Sequence, residues 1–238
     1  MTLQDVDDED AYSRTTAGTT DLHTAEASTP GPLHGVAAAR ESWRPRVVHE
    51  AVPMNLLEAE KAAAQLLMAL GQPVHSPHMA ETPRRMAQAY AELLTVGAFD
   101  FTTFPNTEEY DELVLVHGIP LRSLCEHHML PFVGVAHVGY LPGSRILGLS
   151  KFARVVDFFS HRAQTQERLT KQIAEHLRQQ LEPRGVGVVV EAEHSCMSVR
   201  GVRAVGARTV TSTLFGALRD NPASRAEFLS LTRRGPVA

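Results

Sequence analysis

The first regular hydrophobic pattern in the chain begins after Val52-Pro53. Apolar side chains then recur at steps of three and four residues and stop at Gly71: Leu56, Ala59, Ala63, Leu66, Leu67 and Leu70. This spacing predicts an amphipathic helix that glycine ends. Thr82-Pro83 offers an N-cap and a first-turn proline for a second helix, whose apolar stripe contains Met86, Tyr90, Leu93 and Leu94.

The pattern beyond these helices predicts two strands, two helices, two more strands and a short final helix. The strands are expected at 113–116, 132–140, 186–192 and about 205–214, and the helices around 152–159, 169–181 and 222–231. A polar loop that carries Cys125 is expected between the first two strands. Since strands and helices come in pairs rather than in alternation, the order favours an α+β fold with an antiparallel sheet.

Composition separates residues 1–52 from the rest of the chain. They hold nine Asp/Glu against four Lys/Arg and have no helical or strand period. Such a segment buries too little apolar surface to offset the entropy of ordering, so we expect a disordered acidic tail followed by one domain at 53–238.

Charge and hydropathy exclude several classes of protein. The 238 residues carry a formal charge of −4, which excludes a generally basic nucleic-acid-binding protein. No apolar run approaches the roughly 18 residues that span a bilayer, so we expect no membrane partner. Two cysteines are too few for a disulfide framework, and a reducing, cytoplasmic location is therefore expected.

Two short segments concentrate residues that bind metals or move protons. In Cys125-Glu-His-His, a turn would bring Cys125 and His128 to one point while His127 points elsewhere. About seventy residues later, a strand period would place His194 and Cys196 on one face.

Two cysteines and one histidine without an obvious fourth protein ligand are typical of a catalytic zinc site, which keeps a position for water. A zinc ion in such a site makes hydroxide available at neutral pH. On spacing alone, the alternative of two unrelated buried thiols stays open. The H-x-E and P-C-x-x-C pattern of zinc nucleobase deaminases is absent.

A second group of residues suggests recognition of an anion. Ser150 is expected to cap a helix whose first turn presents Lys151 and Arg154, and a helix N-terminus with two cations is typical of a phosphate site. Arg200 and Arg203 could contribute to it, as could Arg84 or Arg85 at the start of the second helix. Gln166-Glu167 opens the next helix, where Glu167 either pairs with Lys171 or accepts hydrogen bonds from the N–H edge of guanine.

These motifs, in this order, resemble the GTP cyclohydrolase I family. The matching stretches are 81–87, 123–132, 148–151, 166–170, 193–197 and 200–203, and the resemblance spans roughly 54–232. It implies the tunnelling fold, in which an antiparallel four-stranded sheet with helices on one side is preceded by N-terminal helices. It also implies copies that pack side by side into rings, typically a homodecamer with active sites at subunit interfaces.

The resemblance further implies a reaction and a role for each matched residue. GTP and water would give 7,8-dihydroneopterin triphosphate and formate, the first step of folate and pterin biosynthesis. Zn²⁺ would be held by Cys125, His128 and Cys196, with His127 and His194 as the acid–base pair. The matched substrate-binding residues are Glu167, Gln166, Ser150, Lys151, Arg154, Arg200 and Arg85.

Two other functions remain open at this stage. One is a noncatalytic purine- or pterin-binding scaffold of the same fold, although every matched catalytic position is filled. The other is the same reaction serving deazapurine or specialised metabolism, which the sequence alone does not separate from folate synthesis.

Overall fold

The computed structural model of the chain describes residues 46–47 and 53–233. The predicted disordered tail at 1–52 lies outside the described residues, apart from strand β1, Arg46–Val47, which pairs with strand β2, Phe99–Asp100. The division of the chain at residue 52 therefore stays a prediction. No helix in the described ranges is both long and apolar enough to cross a membrane.

Two helices precede the main sheet, as predicted. Helix α1 spans Leu56–Ala69, where the Asn55 side chain accepts a hydrogen bond from the Glu58 N–H at 3.2 Å. Helix α2 spans Thr82–Leu94 with a proline in its first turn. Its N-cap position is Glu81, so the capping role predicted for Thr82 is wrong by one residue.

The main sheet has a fifth strand beyond the four that were predicted. Its four long strands pair antiparallel in chain order: β4 (Val114–Cys125), β5 (Pro131–Leu141), β8 (Gly185–His194) and β9 (Thr209–Gly216). The two-residue strand β7, Ala163–Gln164, joins the outer edge of β4 in parallel at Leu124 and Cys125. The sheet is therefore mixed. A separate pair is formed by β3 (Thr103–Pro105) and β6 (Arg145–Leu147).

Strand β4 replaces the polar loop that was expected to carry Cys125. It extends nine residues beyond the predicted end at Val116, and its register shifts between Val116 and Ile119, where Gly118 has a φ of 71°. An extra residue in a strand reverses which positions face the core, so the alternating pattern breaks at the bulge although the strand continues. Cys125 therefore lies at the end of a strand.

Helices cover both faces of the sheet, which corrects the prediction that they lie on one side. Helices α3 (Ser150–Ser160) and α4 (Gln166–Leu181) bury their apolar stripes with Val138 and Val188 in the main core. Gly139 and Gly187 are direct neighbours of these two valines in β5 and β8, so they face the opposite side of the sheet. There they meet the buried ring of Phe228 from helix α7, Pro222–Thr232, which follows the short helix α6, Ala217–Asp220.

Candidate active site

The predicted metal ligands come together at one end of the sheet. Cys125 ends β4, His128 lies in the turn before β5, and Cys196 lies just beyond β8, which pairs with β5. The Sγ atoms of both cysteines and a ring nitrogen of His128 all lie within 4.8 Å of one another. Cys125 is buried, Cys196 half-buried and His128 exposed, so the group of three opens to solvent on one side.

A tight turn after β4 sets the positions of Cys125 and His128. The Cys125 carbonyl accepts hydrogen bonds from the N–H groups of His128 at 3.2 Å and Met129 at 2.8 Å, and Met129 has a φ of 52°. The turn leaves His128 Nδ1 3.8 Å from Cys125 Sγ. His127 lies outside the group of three, as expected. Its side chain is 68% exposed, although its Nδ1 is still 3.9 Å from Cys125 Sγ.

Cys196 reaches the site through a helical turn rather than through a strand. β8 ends at His194, and Ser195–Ser198 form the single turn α5. The prediction that strand alternation places His194 and Cys196 on one face is therefore wrong. Burial, followed by the nearby Cys125 thiol, raises the pKa of Cys196. A bound cation would act in the opposite direction, because metals bind the thiolate form.

His194 is held from two sides. Its ring stacks on Phe132, with centroids 4.5 Å apart and planes 8° apart, and its Nε2 lies 2.8 Å from Oε1 of Gln166. Gln166 Nε2 donates to the carbonyls of Val190 at 3.1 Å and Thr209 at 2.9 Å. Because these bonds fix the amide orientation, Oε1 faces His194 as an acceptor. The neutral ring then carries its proton on Nε2 and leaves Nδ1 as the basic nitrogen.

The residues predicted to bind substrate fall into two groups. Glu167 and Arg200 are exposed beside the metal ligands: Glu167 raises the pKa of His194 against the larger lowering effect of burial, and Arg200 lowers that of Cys196. Ser150 and Lys151 lie in the first turn of α3 with Arg154 directly after it, and Arg85 is exposed on α2. In the described part of the chain, no hydrogen bond or ion pair joins this second group to the predicted metal ligands.

Two of the expected local contacts differ in the structure. Leu149 holds the N-cap position of α3 and Ser150 is its first helical residue, so the Ser150 cap is wrong by one position. Lys171 lies 3.6 Å from Glu175 rather than pairing with Glu167. Within the described residues, Glu167 has no ion-pair partner, which leaves its carboxylate available to a ligand.

One charged residue that contacts the site, Arg168, has no recognisable signal in the sequence. Arg168 follows Glu167 in α4 and forms an ion pair with Glu126, the neighbour of Cys125. Hydrogen bonding to Arg168 is the main reason why the pKa of Glu126 lies below its ordinary value. The two residues are 42 positions apart and have ordinary surface composition, so no local sequence signal connects them.

Comparison with known proteins gives consistent matches across this region. A family model described as GTP cyclohydrolase I matches residues 59–233. The GTP cyclohydrolase 1 of Mycolicibacterium paratuberculosis is 52% identical over 191 residues, which cover 78% of this chain and 94% of that protein. The enzyme of the same name from Mycobacteroides abscessus is 53% identical over 181 residues, with coverages of 74% and 89%. That from Thermobifida fusca is 50% identical over 177 residues, covering 72% and 86%. The matched range contains the metal ligands and both histidines.

Proposed function

This chain belongs to the GTP cyclohydrolase I family, and we propose which of its residues carry out the reaction that converts GTP and water to 7,8-dihydroneopterin triphosphate and formate. One observation supports this proposal most directly. The ligand atoms of Cys125, His128 and Cys196 lie within 4.8 Å of one another, next to His194, whose ring is held in a defined orientation. As a member of this family, the protein is a GTP-binding hydrolase of folate biosynthesis.

We assign the metal to zinc on the chemistry of its donors. Two thiolates and one imidazole suit zinc and disfavour the hard cations, and three protein ligands leave one tetrahedral position open. When bound, zinc supplies a Lewis acid that lowers the pKa of water near the substrate. The exposed side of the group of three, at His128, is where a substrate would approach.

We propose that His194 serves the step in which the imidazole ring of guanine opens. Its Nε2–H is engaged by Gln166, so its Nδ1 is the atom that takes up and returns a proton at the ring nitrogen of the breaking C8–N bond. The stacked Phe132 ring and the Gln166 amide keep the imidazole from rotating. A positioned acid–base group of this kind contributes about 10²–10⁴-fold to a rate.

The exposed His127 is assigned to the later steps, which rearrange the ribose and close the six-membered ring. These steps take place on the ribose and need proton transfers more than a metal. His127 is 68% exposed, and its ring meets that of His128 edge-on, with centroids 6.3 Å apart, instead of lying flat on a buried ring as His194 does, so it can reach a larger, changing substrate.

For substrate recognition, we propose that Glu167 binds guanine and that the first turn of α3 binds the triphosphate. The Glu167 carboxylate can accept two parallel hydrogen bonds, from guanine N1–H and the 2-amino group. Lys151 and Arg154 lie three residues apart near the N-terminus of α3, where two cations and the positive end of the helix dipole together favour phosphate. Gln166 is completely buried and bonded inside the protein, so we assign it to His194 instead of to guanine.

We also propose the ring assembly of the tunnelling fold. In the described residues, the outer edge of β9 has no partner strand, and β4 pairs on its outer edge only at Leu124 and Cys125. Long open edges of this kind favour pairing between copies. Such pairing would bring a second copy's residues to the site, which supports a role for Arg85, whose exposed side chain makes no ion pair among the described residues. Sedimentation should give about 260 kDa, ten copies of the 26.0 kDa chain, whereas a monomer would contradict the ring.

Turnover of GTP by the zinc-loaded protein tests the proposed reaction. We expect formate and, after oxidation, pterin fluorescence, both lost when zinc is chelated and both restored when it is returned. Cys196→Ala should lose zinc and formate release together, because one thiolate is removed from the group of three. Turnover by a zinc-free Cys196→Ala protein would exclude the metal role, and formate without pterin would exclude the role given to His127.

A further inference from the structure

The first turn of α4 touches both halves of the metal centre. Gln166 binds His194, two residues before Cys196, and Arg168 binds Glu126, the residue after Cys125. Glu167 lies between them and points its carboxylate to solvent. Three consecutive residues of one helix thus border the site. Gln166 contacts its β8 side, Arg168 contacts its β4 side, and Glu167 lies at its open side.

Arg168 is itself firmly held. Its Nε donates to Oε1 of Gln164 at 2.7 Å, and its Nη2 donates both to the Ala163 carbonyl at 3.0 Å and to Glu126 Oε2. Gln164 is completely buried, and its Nε2 donates to the carbonyl of Phe159 at 2.9 Å. The guanidinium is therefore presented to Glu126 in one fixed orientation.

Glu126 is the point where this support reaches the metal-binding turn. Its N–H donates to the Gln164 carbonyl at 3.0 Å, and its carboxylate binds Arg168, so both its backbone and its side chain are tied to the same segment. On the other side of the turn, the Tyr90 hydroxyl donates to the Met129 carbonyl at 3.2 Å. The turn with Cys125 and His128 lies between these two attachments.

We propose that Arg168 is a positioning residue for the metal centre, which holds the Cys125–His128 turn in its ligand geometry through Glu126. The inference rests on the proposed zinc site and concerns residues that do not themselves bind the metal. Side chains that orient metal ligands typically change metal affinity 10–100-fold when removed. Arg168 and Glu126 are 43% and 31% exposed, and ion pairs this exposed add little to global stability. The effect should therefore appear in metal binding rather than in unfolding.

Zinc affinity, measured by competition with a chromogenic chelator, tests the proposal without relying on turnover. Arg168→Ala and Glu126→Ala should each bind zinc 10–100-fold more weakly than the wild type, and the double variant should bind no more weakly than the weaker single variant. The cobalt-substituted variants should show a shifted ligand-field spectrum. Lys171→Ala is the matched control, since it removes another exposed cation from α4 and should leave both readouts unchanged.

The outcomes separate this inference from the proposed function. Wild-type zinc affinity and an unchanged cobalt spectrum in Arg168→Ala would overturn the positioning role and leave the zinc site intact. Additive losses in the double variant would also overturn it, because Arg168 would then act through Gln164 instead of Glu126. A lower unfolding midpoint in the metal-free variants, at unchanged zinc affinity, would show a purely structural role. A wild-type protein that binds no zinc would overturn both proposals.

Discussion

Gln166 and Glu167 show how differently two neighbouring residues can act in one site. A helix turns by about 100° per residue, so adjacent side chains at its start face different surroundings. Gln166 is directed into the protein, where its amide bonds to β8, β9 and His194. Glu167 is directed to solvent beside that histidine. The two neighbours in the motif are therefore proposed to act differently: Gln166 positions His194, and Glu167 is available to the substrate.

Replacing Glu167 by Gln should weaken GTP binding without removing the metal site. An amide presents only one acceptor oxygen to two guanine donors, and a bidentate contact to a base contributes about 1–3 kcal/mol of discrimination. We expect the Kd for GTP, measured by calorimetry on zinc-depleted protein, to rise roughly 5–150-fold.

Two comparisons make the Glu167 experiment specific. Inosine triphosphate lacks the 2-amino group. The ratio of its Kd to the Kd for GTP should therefore be smaller in Glu167→Gln than in the wild type. Glu175→Gln, which removes another carboxylate from α4, should bind GTP as the wild type does. Unchanged GTP affinity in Glu167→Gln would remove Glu167 from guanine recognition.

Individual site residues were predictable where their chemical type is rare. The two cysteines and the C-x-x-H spacing pointed to the three side chains that the structure brings within 4.8 Å of one another, because a chain with two cysteines offers few ways to place two thiols at one site. Arg168 and Glu126 were not predictable, since charged side chains are common at surfaces and their meeting depends on β7 lying beside β4. Their contact is a property of the fold rather than of a motif.

Regular hydrophobic periodicity predicted which helices and strands exist better than it predicted where each one begins and ends. α1 and α4 repeat apolar residues at three- and four-residue steps along their length, and each lies close to where the pattern places it. β4 does not, because the bulge at Gly118 exchanges its faces halfway along. The two-residue strand β7 is too short to show any period. The bulge in β4 and the position of β7 depend on pairing with neighbouring strands, and the residues of one strand alone do not show how it pairs.

Gly187→Ala should destabilise the attachment of α7 to the sheet. A Cβ at Gly187 would lie 2.7 Å from two ring carbons of Phe228 and 3.1 Å from Leu214 Cδ2, so the buried ring has to move. Overpacking of this kind costs about 1–3 kcal/mol. We expect the free energy of unfolding in urea to fall by that amount.

The matched control for this contact is Gly97→Ala, because a Cβ there meets nothing within 4 Å. It should unfold at the wild-type urea midpoint. Trimming the ring in Gly187→Ala/Phe228→Leu should recover part of the loss relative to the sum of the single variants. Equal stability of Gly187→Ala and Gly97→Ala would show that α7 does not pack tightly on this face.

For the whole molecule, the position of the site follows from the way the sheet is built. The ends of β4, β5 and β8 meet at one edge, and α4 begins beside them after β7. The main core lies under α3 and α4, so a rigid layer supports the residues to which we assign the reaction. The general α+β class was predictable from element order, whereas the helix on the second face was not, because two glycines make room for it without any hydrophobic signal.

The half-buried His176 packs against the same core and is a titratable residue that should make the stability of the whole molecule depend on pH. Its ring contacts Phe101 and Phe159 edge-on, and its Nε2 is buried without a hydrogen-bond partner in the part of the chain that the structure describes. Burial lowers the pKa of His176 from 6.5 to about 4. Between these two pH values the His176 ring binds a proton in the unfolded chain but stays neutral in the folded protein, so the free energy of unfolding falls as the pH falls. By pH 5 the loss is about 2 kcal/mol relative to pH 7.

His176→Phe tests this directly, because phenylalanine keeps a planar ring between Phe101 and Phe159 but binds no proton. The free energy of unfolding should be measured in urea from pH 7 to pH 5, for the variant and the wild type. A chelator in both samples prevents acid release of metal from adding to the slope. Over that range the wild type should lose about 2 kcal/mol more than the variant. Parallel curves would mean that water reaches the His176 ring and that its proton uptake is not linked to unfolding of the core.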